Sequence, residues 1–459
     1  MTNRNRHVLA IAQQSRELAV QVYDAADWRL AASARRVWEE DDGPGMTPDE
    51  ILSGVITLAD ATLRRAGITA FDLAAIGVAA SPHAVVAWES VSGRPLGMWQ
   101  TPPHFAGLCA GERDDWLAGQ IAAAGAGDVR APGRLQVGGI ESWLIWNLTQ
   151  GESFVIDVSH DLADGLPEPP ADAQDAAHNP PRPPIALPKP VRSLGGVGRI
   201  GPIYLEGART PVAAPASVPV AALFGTGDDK PGAAYIGYRP EGFIAVRVPS
   251  ADAERPGASG AGESRAAVIG GGRGRVLIGR IFAPQTMIDW VESLFYQRDA
   301  LPDVAVALFS PGPVVAPARA DRPDRAAIVD IGRDTTPAIL YAAALRSFAF
   351  AAHDCLEAAR MRWGLEGGAL YSDETGYGIP ALFAYQTAVS RRPLYCDKRH
   401  AAAFGSALLA AVGAGLLSAA RARELARGSG DRERYDIAGE PAGLRELYGR
   451  WRNFAGDLV

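Results

Sequence analysis

The residues of this chain whose types could do chemistry are few and scattered. Gly270-Gly271-Gly272-Arg273-Gly274 has the composition of a phosphate cradle. A cradle needs its glycines between a strand and a helix, with a lysine and a hydroxyl after them. Neither follows here, so a flexible loop is the better reading. Gln13-Gln14-Ser15-Arg16 is a polar run between the apolar stretches Val8 to Ile11 and Leu18 to Tyr23. Arg16 could hold an anion there by charge; a solvated hairpin turn is the competing reading. Asp228-Asp229-Lys230-Pro231 has the residues of an ordinary turn. Cys109, Cys355 and Cys396 have neither disulfide nor metal-ligand spacing. They predict buried free thiols in a reducing cytoplasm and no metal site.

These residues must be positioned by a chain of 459 residues, long enough for two or more domains. Hydrophobic residues make up 47% and charged residues 21%, the balance of a globular protein. A formal net charge of −7 argues against a nucleic-acid partner, which calls for a basic face. No apolar run approaches the roughly 18 residues of a membrane span, and Val8 to Ala12 is too short for a secretory core.

Val8 to Ile11 and Leu18 to Tyr23 read as a β-hairpin, with Leu30 to Val37 as a third strand. Pro48 to Ala66 has helical periodicity, with Thr47 as N-cap. Ala75 to Ala80 and Ala84 to Glu89 read as strands separated by Ser81-Pro82-His83, and Ile140 to Leu148 as a packed helix. Leu166 to Pro190 and Ala251 to Arg275 read as loops. Further on, Phe282 to Leu294 is amphipathic. A long helix is expected from Thr335-Thr336-Pro337 to Arg360, a strand over Ala369 to Ser372, and helices over Pro380 to Val389, Ala401 to Leu417 and Leu444 to Arg452. The charged tail after Ala426 reads as surface decoration. Hairpins first and β/α alternation later make an α/β protein.

Several segments in order resemble the FGGY carbohydrate kinases, glycerol kinase most closely. They are the tryptophan-rich Gly139-Ile140-Glu141-Ser142-Trp143-Leu144-Ile145-Trp146-Asn147-Leu148-Thr149, then Asp157-Val158-Ser159. Ala75-Ile76-Gly77-Val78, Val85-Val86-Ala87-Trp88-Glu89 and Gly93-Arg94-Pro95-Leu96 are similar to the second hairpin of that family. Gly279-Arg280-Ile281-Phe282 with Ile288-Asp289-Trp290, the segment from Ala327 through Thr336, and Phe404-Gly405-Ser406-Ala407 match its second domain. The resemblance implies two ribonuclease-H-like (actin-like ATPase) domains with an interdomain cleft. The boundaries expected from it are 1–217, 218–425 and a charged extension over 426–459.

The resemblance also implies a site. The phosphate and nucleotide side falls at Gln13, Ser15, Arg16, Gln285, Asp289, Asp373 and Gly376, and the substrate side at His83, Trp99, Gln100 and His104. Several family positions are changed. The aspartate of the first hairpin is Ala12, which cannot ligate a hard cation. The substrate arginine and glutamate are Pro82 and His83, and a following aspartate is Thr101. The Gly-Thr-Gly turn is Arg239-Pro240-Glu241-Gly242. The catalytic base has two matches. In one, Ala222-Leu223-Phe224-Gly225 lies in the helix beyond the base and the base is missing; in the other, Gly225-Thr226-Gly227-Asp228 is the base turn and Asp228 is retained. The expected function is a kinase fold that has lost ATP-dependent polyol phosphorylation, either a pseudokinase or a fold repurposed for another binding or catalytic role, with a small-molecule ligand in its cleft. The alternative is an active, divergent carbohydrate kinase that uses ATP and Mg²⁺ with Asp228 as base. A homo-oligomer, or pairing with an active homologue, is the third possibility.

Overall fold

A computed structural model of the chain describes residues 6–38, 46–102, 105, 110–124, 135–163, 185–193, 195–201, 203–238, 242–249, 265–269, 274–281, 291, 301–316, 327–373, 380–428 and 431–455. They form two compact units. One runs as far as Gly227 and takes in residues 401–428; the other holds most of Asp228–His400 and resumes at residue 431. The helix Ala401–Gly413 belongs to the first unit and the tail from residue 431 to the second.

The first unit is built on a six-stranded sheet in the order Gly196–Arg199, Pro211–Ser217, Leu73–Ala80, His7–Gln14, Glu17–Asp24, Leu30–Val37. The expected hairpin is present and longer than its apolar residues suggest. Gln14 pairs with Glu17, leaving Ser15 and Arg16 as a two-residue turn. Gln13 and Gln14 continue the strand because the first strand has partners on both sides. The helix Pro48–Ala66 opens on a capping box. Thr47 Oγ1 accepts from the Glu50 N–H at 3.3 Å and the Glu50 carboxylate accepts from the Thr47 N–H at 2.8 Å. A second, four-stranded sheet has the order Pro95–Gln100, Ala84–Glu89, Leu135–Gly139, Ile185–Ala186.

The helix Ala401–Gly413 packs on the three central strands of the six-stranded sheet and on the helix Val218–Gly225. Glycine permits this approach. A Cβ on Gly405 would overlap the Ala221 carbonyl, and one on Gly77 would lie 2.5 Å from the Ser406 carbonyl oxygen.

The second unit is built on a sheet whose strands run Gly274–Ile281, Gly242–Val248, Ala234–Gly237, Leu370–Asp373, Leu394–Asp397, Arg432–Tyr435. The long helix Pro337–Trp363 covers it, capped by Thr336, whose Oγ1 accepts from the Ile339 N–H at 3.4 Å. Arg346 of that helix is buried and donates to the carbonyls of Ala307, Ser310 and Pro313 at 2.9, 2.7 and 3.2 Å. Those carbonyls end and follow the helix Leu301–Leu308, so its unpaired acceptors meet a cation.

Three further expectations change. The loop read from Leu166 to Pro190 ends in structure: Ile185–Ala186 and Lys189–Val191 are strands, and Pro190, which lacks an N–H, sits at an edge pairing with Ile156. The loop read from Ala251 to Arg275 contains the strand Arg265–Ile269 and the start of Gly274–Ile281, because the apolar residues there find sheet neighbours. The tail is not decoration. Arg432–Tyr435 pairs with Leu394–Asp397, and Trp451 is 0% exposed with its indole N–H donating to Ser347 Oγ at 3.0 Å. The amphipathic stretch Phe282 to Leu294 lies outside the described residues apart from Val291, as does Cys109. Cys355 and Cys396 are buried and form no disulfide.

Candidate active site

Three neighbouring parallel strands of the first unit end in register. Gln13 pairs with Ala80, and Ala80 pairs with Ser217. In α/β folds, ligands bind at such carboxyl ends. Each end carries a polar, buried side chain: Gln13, Ser81 and Ser217. Gln13 Oε1 accepts from the Ser81 N–H at 3.4 Å, and its amide donates to the Gln14 carbonyl at 2.9 Å. Past Ser81 the chain turns through Pro82 into His83, whose N–H donates to Ser81 Oγ at 3.4 Å.

His83 is 6% exposed, and its ring is fixed from two other elements. Asp161, in the short turn after the strand Val155–Asp157, lies with Oδ2 2.7 Å from His83 Nδ1. The Thr101 hydroxyl donates to the same oxygen at 2.7 Å. Backbone bonds hold the frame: the Thr101 N–H donates to the His83 carbonyl at 2.8 Å and the Asp161 N–H to the Pro82 carbonyl at 3.0 Å. A carboxylate accepts only, so the proton of the neutral ring is on Nδ1. Nε2 then carries the lone pair, and it makes no hydrogen bond among the described residues. Such an arrangement can take a proton from a hydroxyl.

A second polar layer supports this edge. Asp157 is fully buried; its Oδ1 accepts from the N–H and the hydroxyl of Ser159, and its Oδ2 from the Ser193 hydroxyl at 2.7 Å. Burial pushes its carboxyl up to about 6 against those bonds. The Ser159 and Ser217 hydroxyls lie 2.7 Å apart, and the Ser217 N–H donates to Ser159 Oγ at 3.2 Å, which fixes the start of the helix Val218–Gly225. Glu141 is also buried, with neither carboxylate oxygen hydrogen-bonded, and burial drives its carboxyl well above the ordinary range. His160 Nε2 is 3.6 Å from Glu141 Oε2 and 3.1 Å from the Ala84 carbonyl, while its Nδ1 accepts from the Leu162 N–H at 3.1 Å. That pattern describes a neutral imidazole.

The other sequence-derived positions are placed as follows. Ser15 and Arg16 form the half-buried turn of the first hairpin. Trp99 is half-buried and Gln100 exposed on the strand Pro95–Gln100, next to buried Thr101. Asp228 belongs to the second unit. Its Oδ2 accepts from the Tyr371 hydroxyl at 2.9 Å and its Oδ1 from the Lys230 N–H at 3.0 Å. The helix Val218–Gly225 follows the strand Pro211–Ser217 directly, so Ala222-Leu223-Phe224-Gly225 lies in that helix and Asp228 comes after it. Asp373 is buried at the end of Leu370–Asp373, and burial with its carboxylate drives the Tyr235 phenol up. His104, Gln285, Asp289 and Gly376 lie outside the described residues.

Sequence reasoning missed Asp161, Asp157 and Ser217. Asp161 stands 78 residues from His83, and no spacing rule joins them. The polar run after Asp157, Ser159-His160-Asp161 closing a strand, was the available signal. Among the described residues no group of three or more His, Cys, Asp or Glu could hold a metal. A resident metal cage therefore does not fit them; Mg²⁺ brought by nucleotide phosphates needs few protein ligands. No helix among the described residues is long and apolar enough to cross a membrane.

Comparison with known proteins bears on the chain as a whole. No protein-family model matches the chain. A glycerol kinase of Symbiobacterium thermophilum is 28% identical, covering 82% of each chain. A glycerol kinase of Xanthomonas axonopodis pv. citri is 26% identical, covering 97% of each. The crystal structure of Plasmodium falciparum glycerol kinase with ADP superimposes with a TM-score of 0.67 at 17% identity, covering 98% of this chain and 97% of that one. The fold is the two-domain α/β architecture of the FGGY carbohydrate kinases. By sequence the chain is similar to glycerol kinases.

Proposed function

We propose that the chain is a divergent ATP-dependent kinase acting on a hydroxyl of a polyol or sugar. The observation that carries this is the ordered polar edge of the first unit. Gln13, Ser81 and Ser217 stand at the ends of adjacent parallel strands, beside a histidine aligned by a half-buried carboxylate. Collinear similarity to glycerol kinases over 97% of the chain supports it. Phosphoryl transfer depends mostly on positioning and charge, so a family member can move its acid and base groups without changing reaction class. ATP would supply the phosphoryl group and Mg²⁺ would travel with it. This reading replaces the loss of phosphorylation expected from the altered motifs alone.

The test is turnover of Mg·ATP by the purified protein over a panel of polyols and sugars, with calorimetric ATP binding alongside. ADP release that depends on one panel member is the expected result. Absence of both turnover and binding would sink the proposal. It would favour a second reading, a kinase fold that binds a small molecule without phosphoryl transfer. Two observations lean that way: Ala12 stands near the end of the first strand, where the carboxylate is missing, and the Asp228 carboxylate is engaged by Tyr371.

A further inference from the structure

The geometry points to His83 and Asp161 as a hydroxyl-accepting dyad, in which His83 Nε2 receives the hydrogen of the substrate hydroxyl and, during transfer, its proton. The catalytic part of this inference rests on the kinase reading above. Four features carry it. The ring is 6% exposed and its Nδ1 lies 2.7 Å from Asp161 Oδ2, which assigns the proton to Nδ1. Asp161 is itself oriented by the Thr101 hydroxyl at 2.7 Å and by its N–H bond to the Pro82 carbonyl at 3.0 Å. Nε2 has no hydrogen bond among the described residues. The dyad is joined through Ser81 to the register-matched ends of the central strands.

His160, by contrast, has both ring nitrogens engaged, with the Ala84 carbonyl and the Leu162 N–H. His83 has one nitrogen tied to a carboxylate and the other available. A carboxylate on Nδ1 fixes tautomer and orientation, as it does for imidazole bases generally. The strand-to-helix junction at Ser217 and Val218 has no carboxylate to take a proton. In the transfer step the substrate O–H bond breaks as an Nε2–H bond forms. The oxygen lone pair attacks the γ-phosphorus of the nucleoside triphosphate, and the bond to the β-phosphate breaks with its electrons leaving on the diphosphate. The resulting imidazolium is stabilised by Asp161 and returns its proton to water. His83 is the catalytic residue, and Asp161 and Thr101 are positioning residues.

The experiment combines kinetics with nitrogen NMR of ¹⁵N-histidine-labelled protein, which has seven histidines to assign. Wild type, His83→Gln and Asp161→Asn are compared for Mg·ATP turnover over the polyol and sugar panel. Expected is a loss of about 10²–10⁴-fold in kcat for His83→Gln with the KM for ATP unchanged. In wild type the long-range correlations report the Nδ1–H tautomer of His83, and a saturating panel ligand shifts Nε2. Asp161→Asn loses both that tautomer signature and turnover while keeping the wild-type unfolding temperature within a few degrees. Turnover in wild type with His83→Gln within about threefold of it overturns the dyad and leaves the kinase reading standing. No turnover in wild type, with Nε2 still shifted by a panel ligand, removes the kinase reading and keeps the dyad as a hydroxyl-binding site. No turnover and no shift removes both, as does an Nε2–H tautomer in the free protein.

Discussion

Asp157 shows how a single buried side chain ties chemistry to stability. It has 0% exposure, and its ionised form is opposed by burial more than it is helped by Ser159 and Ser193, so its carboxyl titrates near 6 in the folded protein. A folded pKa above the unfolded value means that the folded state binds more protons between roughly pH 4 and 6. Stability from this group is complete below the unfolded pKa and is lost as pH rises through the folded one. The difference of roughly two pKa units corresponds to ~3 kcal/mol. Asp157→Asn should therefore gain on wild type by up to about that amount between pH 4 and pH 7, measured as the difference in urea midpoints at each pH. A pH-independent difference would show that Asp157 titrates normally. Glu141 acts in the same direction, since burial raises its carboxyl too. Neither effect was legible in the sequence, where Glu141 reads as one residue of a tryptophan-rich helix and Asp157 as the start of a segment resembling the strand that follows it in the FGGY kinases. His83 was legible as a candidate, because it follows a strand at a place where the related kinases bind substrate. Its partner was not, because the fold alone brings residues 83 and 161 together.

Elements whose signals are local were legible nearly to the residue. The helix Pro48–Ala66 carries its own start in Thr47, Pro48 and Glu50 and its own stop in Gly67, which has a φ of 67°. The long helix Pro337–Trp363 carries Thr336 and Pro337. Strands that depend on sheet neighbours were misjudged, as in Lys189–Val191, where a proline density that favours loops is overridden at a sheet edge. The glycines at element contacts lie between these cases. Phe404-Gly405-Ser406-Ala407 was recognisable as a motif, but its reason is spatial: Gly405 faces the Ala221 carbonyl across two crossing helices. Backbone cannot yield as the end of a flexible side chain can. Gly405→Ala should cost about 1–3 kcal/mol, and more if the helices cannot separate. Thermal unfolding would read this as a lower midpoint, and an unchanged midpoint would mean that the helices slide apart freely. The control Gly415→Ala tests a different cause: its added Cβ meets nothing within 4 Å, but its φ of 76° adds backbone strain alone.

For the molecule as a whole, the chain crosses from one unit to the other more than once, and this is what the sequence concealed. Composition made the C-terminal tail look like solvent-facing decoration, since Arg445, Glu446, Arg450 and Arg452 crowd the helix Leu444–Ala455. The apolar stripe on that helix was present all along: Leu444, Leu447, Tyr448 and Trp451 recur at helical spacing. In the fold those residues join the core of the second unit, where Trp451 meets Phe350 at a ring separation of 5.7 Å and stacks with Tyr448 at 6.1 Å. The edge strand Arg432–Tyr435 completes the sheet beside it. The tail thus acts as part of the second unit's fold, although it follows the helices that complete the first. Trp451→Ala should cost about 3–5 kcal/mol, because a large buried side chain leaves a cavity, and it should orphan the Ser347 hydroxyl as a partner. Trp451→Phe keeps most of the volume and loses only the indole hydrogen bond, so its cost should stay near 1 kcal/mol. Urea unfolding of the full chain separates the cases. Equal losses for Ala and Phe would place the energy in the hydrogen bond, and no loss for either would return the tail to the surface.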